Sequence, residues 1–164
     1  MPLLLTSHKT PIGTLNLIAH EDVLLAANLS TVSALKASLD VIDRARDIKE
    51  VKSIPVVSEL ISDYFDGDLT ALNGIQVRQP GAPFSQAAWK AMRKISPGKT
   101  WSYADLAEKA GSPAAVRAAG SACANNAIML VVPCHRVVKT GGALGNYAYG
   151  VDKKQWLLSH EGFL

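Results

Sequence analysis

The chain has 164 residues, 48% apolar and 19% charged, the make-up of an ordinary globular protein of one domain or two small ones rather than a disordered or fibrous chain. Its longest apolar stretch, residues 127–132, falls far short of the roughly 18 needed to span a bilayer, and its two cysteines are too few for a disulfide framework. The net charge of +3 hides an asymmetry: residues 1–80 carry 7 Lys/Arg against 10 Asp/Glu, and residues 81–164 carry 10 against 4, so a polyanion is attracted to the second half.

The amino terminus, MPLLLTSHKT, lacks the basic flank and the small-residue cleavage site of a secretory signal, and the chain reads as cytoplasmic. Residues 3–7, 14–19 and 23–30 read as strands, with Pro11-Ile12-Gly13 turning the first into the second. Val32, Leu35, Leu39 and Ile42 share one face of a helix predicted over 31–45. Pro55 opens a second helix through Phe65, which Gly67 closes, and residues 72–77 return as a strand. The prolines and glycine of residues 79–83 fit no regular element, so they divide a first domain, 1–78, from a second, 84–164.

The second half is mainly helical. Phe84, Ala88, Met92 and Ile95 form a helix face that ends at Pro97-Gly98. Ser102 suits the N-cap of a helix over 103–110, stopped by Gly111, and Ser112-Pro113 starts another at once. Two short helices about a glycine turn make a helix-turn-helix candidate. The second of them, PAAVRAAGSACA, is nearly all small side chains with one long cation, Arg117. Such a surface suits close approach to a DNA groove, and it also suits a tightly packed alanine-rich core helix. Residues 128–132 favour a strand that Pro133 must end, and Asp152 caps a last helix through His160.

The sharpest chemical feature is VVPCHRVV at 131–138. A strand stopped by proline delivers Cys134 and His135 at its end, and His135 and Arg136 are placed to shift the thiol toward thiolate. Cys123, on the alanine-rich helix, reads as a packing residue. Glu161 lies at a helix C-terminus, against the unfavourable end of the macrodipole, and so asks for a partner such as a histidine elsewhere. Cysteine, histidine and an orienting carboxylate make the general activated-nucleophile arrangement. A zinc site of Cys134, His135 and His160 fits less well, because adjacent ligands are awkward for a tetrahedron.

In PCHRVV at 133–138, SYADLA at 102–107, VRAAG at 116–120, Asn126, GNYAYG at 145–150 and KKQWLLSHEG at 153–162, the chain resembles the O6-alkylguanine-DNA alkyltransferases. PIGTL at 11–15 and YFDG at 64–67 extend the likeness more loosely into the first half. The resemblance implies an α+β protein, with a ribonuclease-H-like first domain packed on a mainly helical second domain that contains the helix-turn-helix. It implies direct repair of duplex DNA: minor-groove binding, extrusion of the damaged base, and one-shot transfer of the alkyl group of O6-alkylguanine, and of O4-alkylthymine, to Cys134. Cofactor and metal are not implied, nor is a membrane, and the acting species is a monomer. By the same likeness, Cys134 is the nucleophile, His135 the base acting through a water and oriented by Glu161, and Tyr103 a donor to the guanine ring. Arg117 fills the gap in the duplex, while Ser112, Ala118 and Thr140 contact DNA. Val137, Tyr147, Ala148 and Tyr149 line the base pocket, and Asn126 braces the turn beside the helix-turn-helix.

The chain departs from the family pattern in three places. Ala127 stands where many relatives have proline, which is expected to loosen the turn after Asn126. Tyr149 stands where many have glycine, which is expected to narrow the pocket and favour methyl over benzyl adducts. The first half has no cysteine with which to build the zinc site some relatives carry. Two other functions compete with alkyl transfer: a lesion-binding protein without chemistry, and a Cys-His amide hydrolase. Cys134 itself speaks against the former, and the alanine-rich helix bearing Arg117 against the latter.

Overall fold

Strands β1 (Leu3–Thr10), β2 (Gly13–His20) and β3 (Val23–Asn28) form an antiparallel meander in a computed structural model that describes all of residues 1–164. The reversal from β1 to β2 falls at Pro11-Ile12, where Gly13 takes φ +122°, a region closed to most side chains. Thr10 secures it, its hydroxyl donating to the Gly13 carbonyl and accepting from the Ile12 N–H. Two parallel strands complete the sheet: β4 (Ile48–Glu50) beside β1, and β5 (Gln76–Val77) beside β3. The order is β4-β1-β2-β3-β5. Leu3, Leu5, Ile18, Leu25 and Ala26 of the sheet pack with Leu35 and Leu39 as an apolar core.

The helix expected over 31–45 is two short ones, α1 (Val32–Ala37) and α2 (Val41–Arg44). Asp40 breaks it: its carboxylate accepts from the Asp43 N–H at 2.8 Å and caps a new helix instead of continuing the old one. Helix α3 (Val57–Phe65) starts two residues after Pro55, behind Val56 at φ +69°. The strand expected over 72–77 is a 3-10 turn, Ala71–Gly74, followed by the short β5.

The chain forms two compact units, one of Met1–Pro80 with Ala127–Val131, the other of Gly81–Asn126 with Val132–Leu164. Residues 127–131, read from sequence with the second half, thus belong with the first. They make no strand. Ala27 N–H donates to the Ala127 carbonyl at 2.9 Å and Met129 N–H to the Ala27 carbonyl at 3.3 Å, a single parallel bridge. A turn with Leu130 at φ +72° then ends the pairing before Pro133 is reached.

In the second unit, Pro83 is the first residue of α4 (Pro83–Met92) rather than part of a linker, as its fixed φ and missing N–H allow. The Ser102 side chain and the Asp105 carboxylate form a reciprocal capping box at the start of α5 (Tyr103–Lys109). Helix α6 (Val116–Ala124) starts later than Ser112-Pro113 suggested. A turn closed by Ala115 N–H on the Ser112 carbonyl leaves Ala115 outside helical geometry. Trp89 of α4 donates its indole N–H to the Ala122 carbonyl at 2.8 Å, tying α4 to the alanine-rich helix. The last helix, α7 (Val151–His160), follows Gly150 at φ +104°, and Asp152 lies in its first turn rather than at its cap. No helix is long and apolar enough to cross a membrane.

Candidate active site

Cys134 opens a single 3-10 turn, Cys134–Arg136, between Pro133 and strand β7 (Val137–Val138). Strand β7 pairs in parallel with β6 (Trp101–Ser102), Trp101 against Val137 and Ser102 against Val138. Because Ser102 is also the cap of α5, this short ladder holds Tyr103 and the Cys134 turn in one frame. The Tyr103 phenol stays protonated: burial raises its pKa, and any negative charge on Cys123 or Cys134 would raise it further.

Cys134 is buried, 8% exposed as a residue, and its sulfur accepts from the Asn126 side-chain amide at 3.4 Å, the same amide donating to the Val132 carbonyl at 2.9 Å. Burial pushes the thiol up from its ordinary value. Opposing it are the Asn126 amide, the charge of Lys154, and the backbone N–H groups of Cys134 and His135. His135 enters this balance through its backbone N–H, and the Arg136 charge is engaged elsewhere. Arg136 is turned away, donating to Glu161 and, at 2.7 Å, to the Ile95 carbonyl. At rest the cysteine is a neutral thiol.

Glu161 directly follows α7 and is buried. It accepts from Arg136 Nε at 2.8 Å, Arg136 Nη2 at 2.9 Å and His135 Nε2 at 2.9 Å. Burial by itself raises its pKa, but the His135 and Arg136 bonds prevail and hold the carboxyl far below the usual carboxylate range. Burial lowers the pKa of His135, with Glu161 only partly restoring it, so the imidazole is neutral. An ionised carboxylate offers only acceptors, so Nε2 carries the ring proton. The lone pair is then on Nδ1, which has no hydrogen-bond partner within the protein.

The remaining sequence-predicted residues fall into two groups. Arg117 and Ala118 are exposed on α6, Ser112 is half-buried in the turn before it, and Thr140 is exposed in the loop after β7. None of these four touches the thiol through a hydrogen bond. Val137 is buried, Tyr147 and Tyr149 are half-buried, and Ala148 is exposed. The two tyrosine rings meet edge to face at 5.6 Å, and burial above all pushes the Tyr149 phenol up to about 12. His160 stacks on Trp156 at 4.9 Å, and no three His, Cys, Asp or Glu side chains gather as a metal site.

One residue at the site was not singled out from sequence. Lys154 of α7 is 1% exposed, its ammonium donating to the Val137 carbonyl at 2.7 Å and the Asn146 carbonyl at 3.4 Å. In the sequence it is one of an adjacent lysine pair, and the only clue was its place inside KKQWLLSHEG. Ala127 donates its N–H to Gln79 Oε1 at 2.8 Å, a bond proline cannot make.

Residues 83–163 match the family model for the DNA-binding domain of 6-O-methylguanine DNA methyltransferase. The methylated-DNA–protein-cysteine methyltransferase of Salmonella typhimurium is 44% identical over 108 residues, which is 66% of this chain and 63% of that protein. The matched segment thus spans less than two-thirds of that relative's length. The protein of the same name from Mycolicibacterium paratuberculosis is 36% identical over 152 residues, covering 93% of this chain and 88% of its own. The crystal structure of Mycobacterium tuberculosis OGT in complex with DNA superposes with a TM-score of 0.81 at 31% identity, over 96% of this chain and 92% of that one. Likeness that runs through both units, and not only through the cysteine motif, means that the chain belongs to the methylated-DNA–protein-cysteine methyltransferase family.

Proposed function

We propose that this protein repairs duplex DNA by direct reversal, moving the alkyl group of O6-alkylguanine, methyl above all, and of O4-alkylthymine, onto Cys134 once and irreversibly. The observation that carries this reading is the protonation pattern of the site. A neutral thiol adjoins, in sequence, a neutral imidazole whose proton is fixed on Glu161 and whose Nδ1 lone pair is unpartnered. A resting thiol is a poor nucleophile, so the proton must leave as the base arrives. It passes to His135 Nδ1, directly or across one water. The sulfur attacks the alkyl carbon in line, an S–C bond forms, and the C–O6 bond breaks with its electron pair staying on the base. Tyr103 donates to the guanine ring, stabilising the departing anion, which takes up a proton to become guanine. The balance is thiol plus alkylguanine giving thioether plus guanine. Water does not reverse a thioether, so each molecule acts once and needs no cofactor.

Helices α5 and α6 serve as a helix-turn-helix in the minor groove. The small side chains of α6 permit close approach, and Arg117, exposed and without an ion pair, enters the space left by the extruded base. Ser112, Ala118 and Thr140 hold the DNA backbone, Val137, Tyr147, Ala148 and Tyr149 receive the base, and Asn126 braces the Cys134 turn. The first domain is read as ribonuclease-H-like, on an antiparallel meander extended by the parallel β4, and the protein acts as a monomer. The test is to mix the protein with a duplex containing O6-methylguanine and map its peptides by mass spectrometry. One methyl per molecule on the Cys134 peptide, absent in Cys134→Ala, is the expected result. Tight binding without transfer would replace this reading with lesion recognition alone.

A further inference from the structure

The side-chain amide of Asn126 makes two bonds at once, to the Val132 carbonyl at 2.9 Å and to the Cys134 sulfur at 3.4 Å. An amide nitrogen has two hydrogens, one for each acceptor. Where that amide points depends on how the backbone of residue 126 is held. Upstream the hold is slack. Helix α6 ends with the Asn125 N–H on the Ser121 carbonyl at 2.9 Å, but the Asn126 N–H reaches the Cys123 carbonyl only at 3.4 Å. Downstream it is firm. The Ala127 N–H donates to Gln79 Oε1 at 2.8 Å, and the Ala127 carbonyl accepts from the Ala27 N–H at 2.9 Å.

Both downstream holds trace to one strand. Ala27 belongs to β3, and Arg78, the residue before Gln79, donates its N–H to the Leu24 carbonyl of the same strand at 3.1 Å. Gln79 is buried, although burying a long amide side chain costs rotamer freedom and is unfavourable unless its polar atoms are met. Its oxygen is met by a backbone N–H in a stretch that has a single bridge and no ladder. The Ala27 bond runs backbone to backbone and forms whatever the side chain at 127. The Gln79 bond depends on this one glutamine.

We propose that Gln79 is a positioning residue for the alkyl acceptor: its side-chain oxygen fixes the peptide that follows Asn126, and so aims the Asn126 amide at the Cys134 sulfur. The assignment rests on Cys134 being that acceptor. An N–H donated to sulfur favours the charged form, and the Asn126 amide acts on the thiol in that direction. A glutamine that only satisfied the Ala127 N–H would matter to stability and leave the chemistry of the sulfur unchanged. A glutamine that aims Asn126 alters the pH dependence of the thiol as well.

The experiment uses iodoacetamide, a small alkylator that needs no DNA, on the full chain carrying Cys123→Ser so that one thiol reports. Only the thiolate reacts, so between about pH 6 and 9 the rate follows the thiolate fraction. Gln79→Leu keeps the bulk and removes the acceptor. It is expected to shift the profile up by about half a pH unit, which makes the reaction about three-fold slower below the thiol's own pKa. Asn126→Ala removes the N–H aimed at the sulfur, and adding Gln79→Leu to it is expected to change nothing further. Should either chain fail to fold by circular dichroism, Gln79→Met or Asn126→Leu takes its place. A parent-like profile without the Gln79 acceptor would overturn the proposal, as would a Gln79 effect of the same size with and without Asn126. Methyl transfer from an O6-methylguanine duplex is followed in parallel. Transfer in the parent with no Gln79 dependence of the iodoacetamide profile refutes the positioning role, whereas that dependence without transfer refutes the repair reading instead.

Discussion

Replacing Glu161 by glutamine separates what the carboxylate does for the fold from what it does for the histidine. Glu161 is 4% exposed and accepts three N–H bonds, two from Arg136 and one from His135. A glutamine amide has one acceptor oxygen, and its NH2 must face donors. At least one charge-assisted bond, worth roughly 1.5–3 kcal/mol, is therefore lost. The Arg136 guanidinium, 4% exposed, is left buried without compensation. Breaking a buried pair from one side costs about 3–5 kcal/mol, and that is the expected fall in unfolding free energy from urea titrations at neutral pH. Arg136→Met in the same chain should recover part of the loss, because the orphaned charge goes with it. A fall below about 1 kcal/mol, or simple additivity of the two substitutions, would refute the reasoning. The pH dependence follows from the same site. A carboxyl held below its ordinary 4.5 contributes fully above that value, and its contribution is lost only as the pH falls through the depressed folded-state pKa. The Gln variant should therefore lose the acid-range slope that Glu161 gives the parent.

Four further outcomes are expected. Arg117→Ala should weaken repair of a duplex far more than reaction with free O6-benzylguanine; equal losses on both would remove Arg117 from the DNA surface. Tyr149→Gly removes the ring that packs on Tyr147 at 5.6 Å and should raise the benzyl rate relative to methyl, as competition between the two substrates will show. Gly81→Ala places a Cβ 2.5 Å from Cη2 of Trp89, an indole already anchored on the Ala122 carbonyl, and such overpacking should cost about 1–3 kcal/mol in a denaturation experiment. Ala127→Pro restores the residue common among relatives yet deletes the N–H donated to Gln79, so it should lower stability by about 1 kcal/mol rather than raise it.

The elements most legible in sequence are those whose signal is local. Strands β1 to β3 are marked by apolar runs and a Pro-Ile-Gly turn, and the Ser102 cap is marked by Asp105 three residues on. Misreadings arise where two local signals compete. Asp40 can sit inside a helix or cap a new one, and Ser112-Pro113 reads as a helix start although a turn closes on the Ser112 carbonyl first. Residues 127–131 have the composition of a strand, but a partner strand is a tertiary matter, and Ala27 offers them a single bridge.

The same division runs through the site. Cys134 is legible because proline, histidine and arginine crowd around it, and Glu161 because a carboxylate at a helix end is electrostatically misplaced until partners arrive. Arg136 shows the limit of adjacency. Proximity in sequence suggested a cation for the thiol, but Arg136 and Cys134 leave the 3-10 turn in different directions, one toward Glu161 and the other toward Asn126. The cation whose charge opposes the thiol's burial is Lys154, twenty positions away on another element. No pattern of residue types distinguishes it from its exposed-looking neighbour Lys153. What distinguishes them is burial, because an ammonium sealed among carbonyls keeps its full electrostatic reach, whereas one in water is screened.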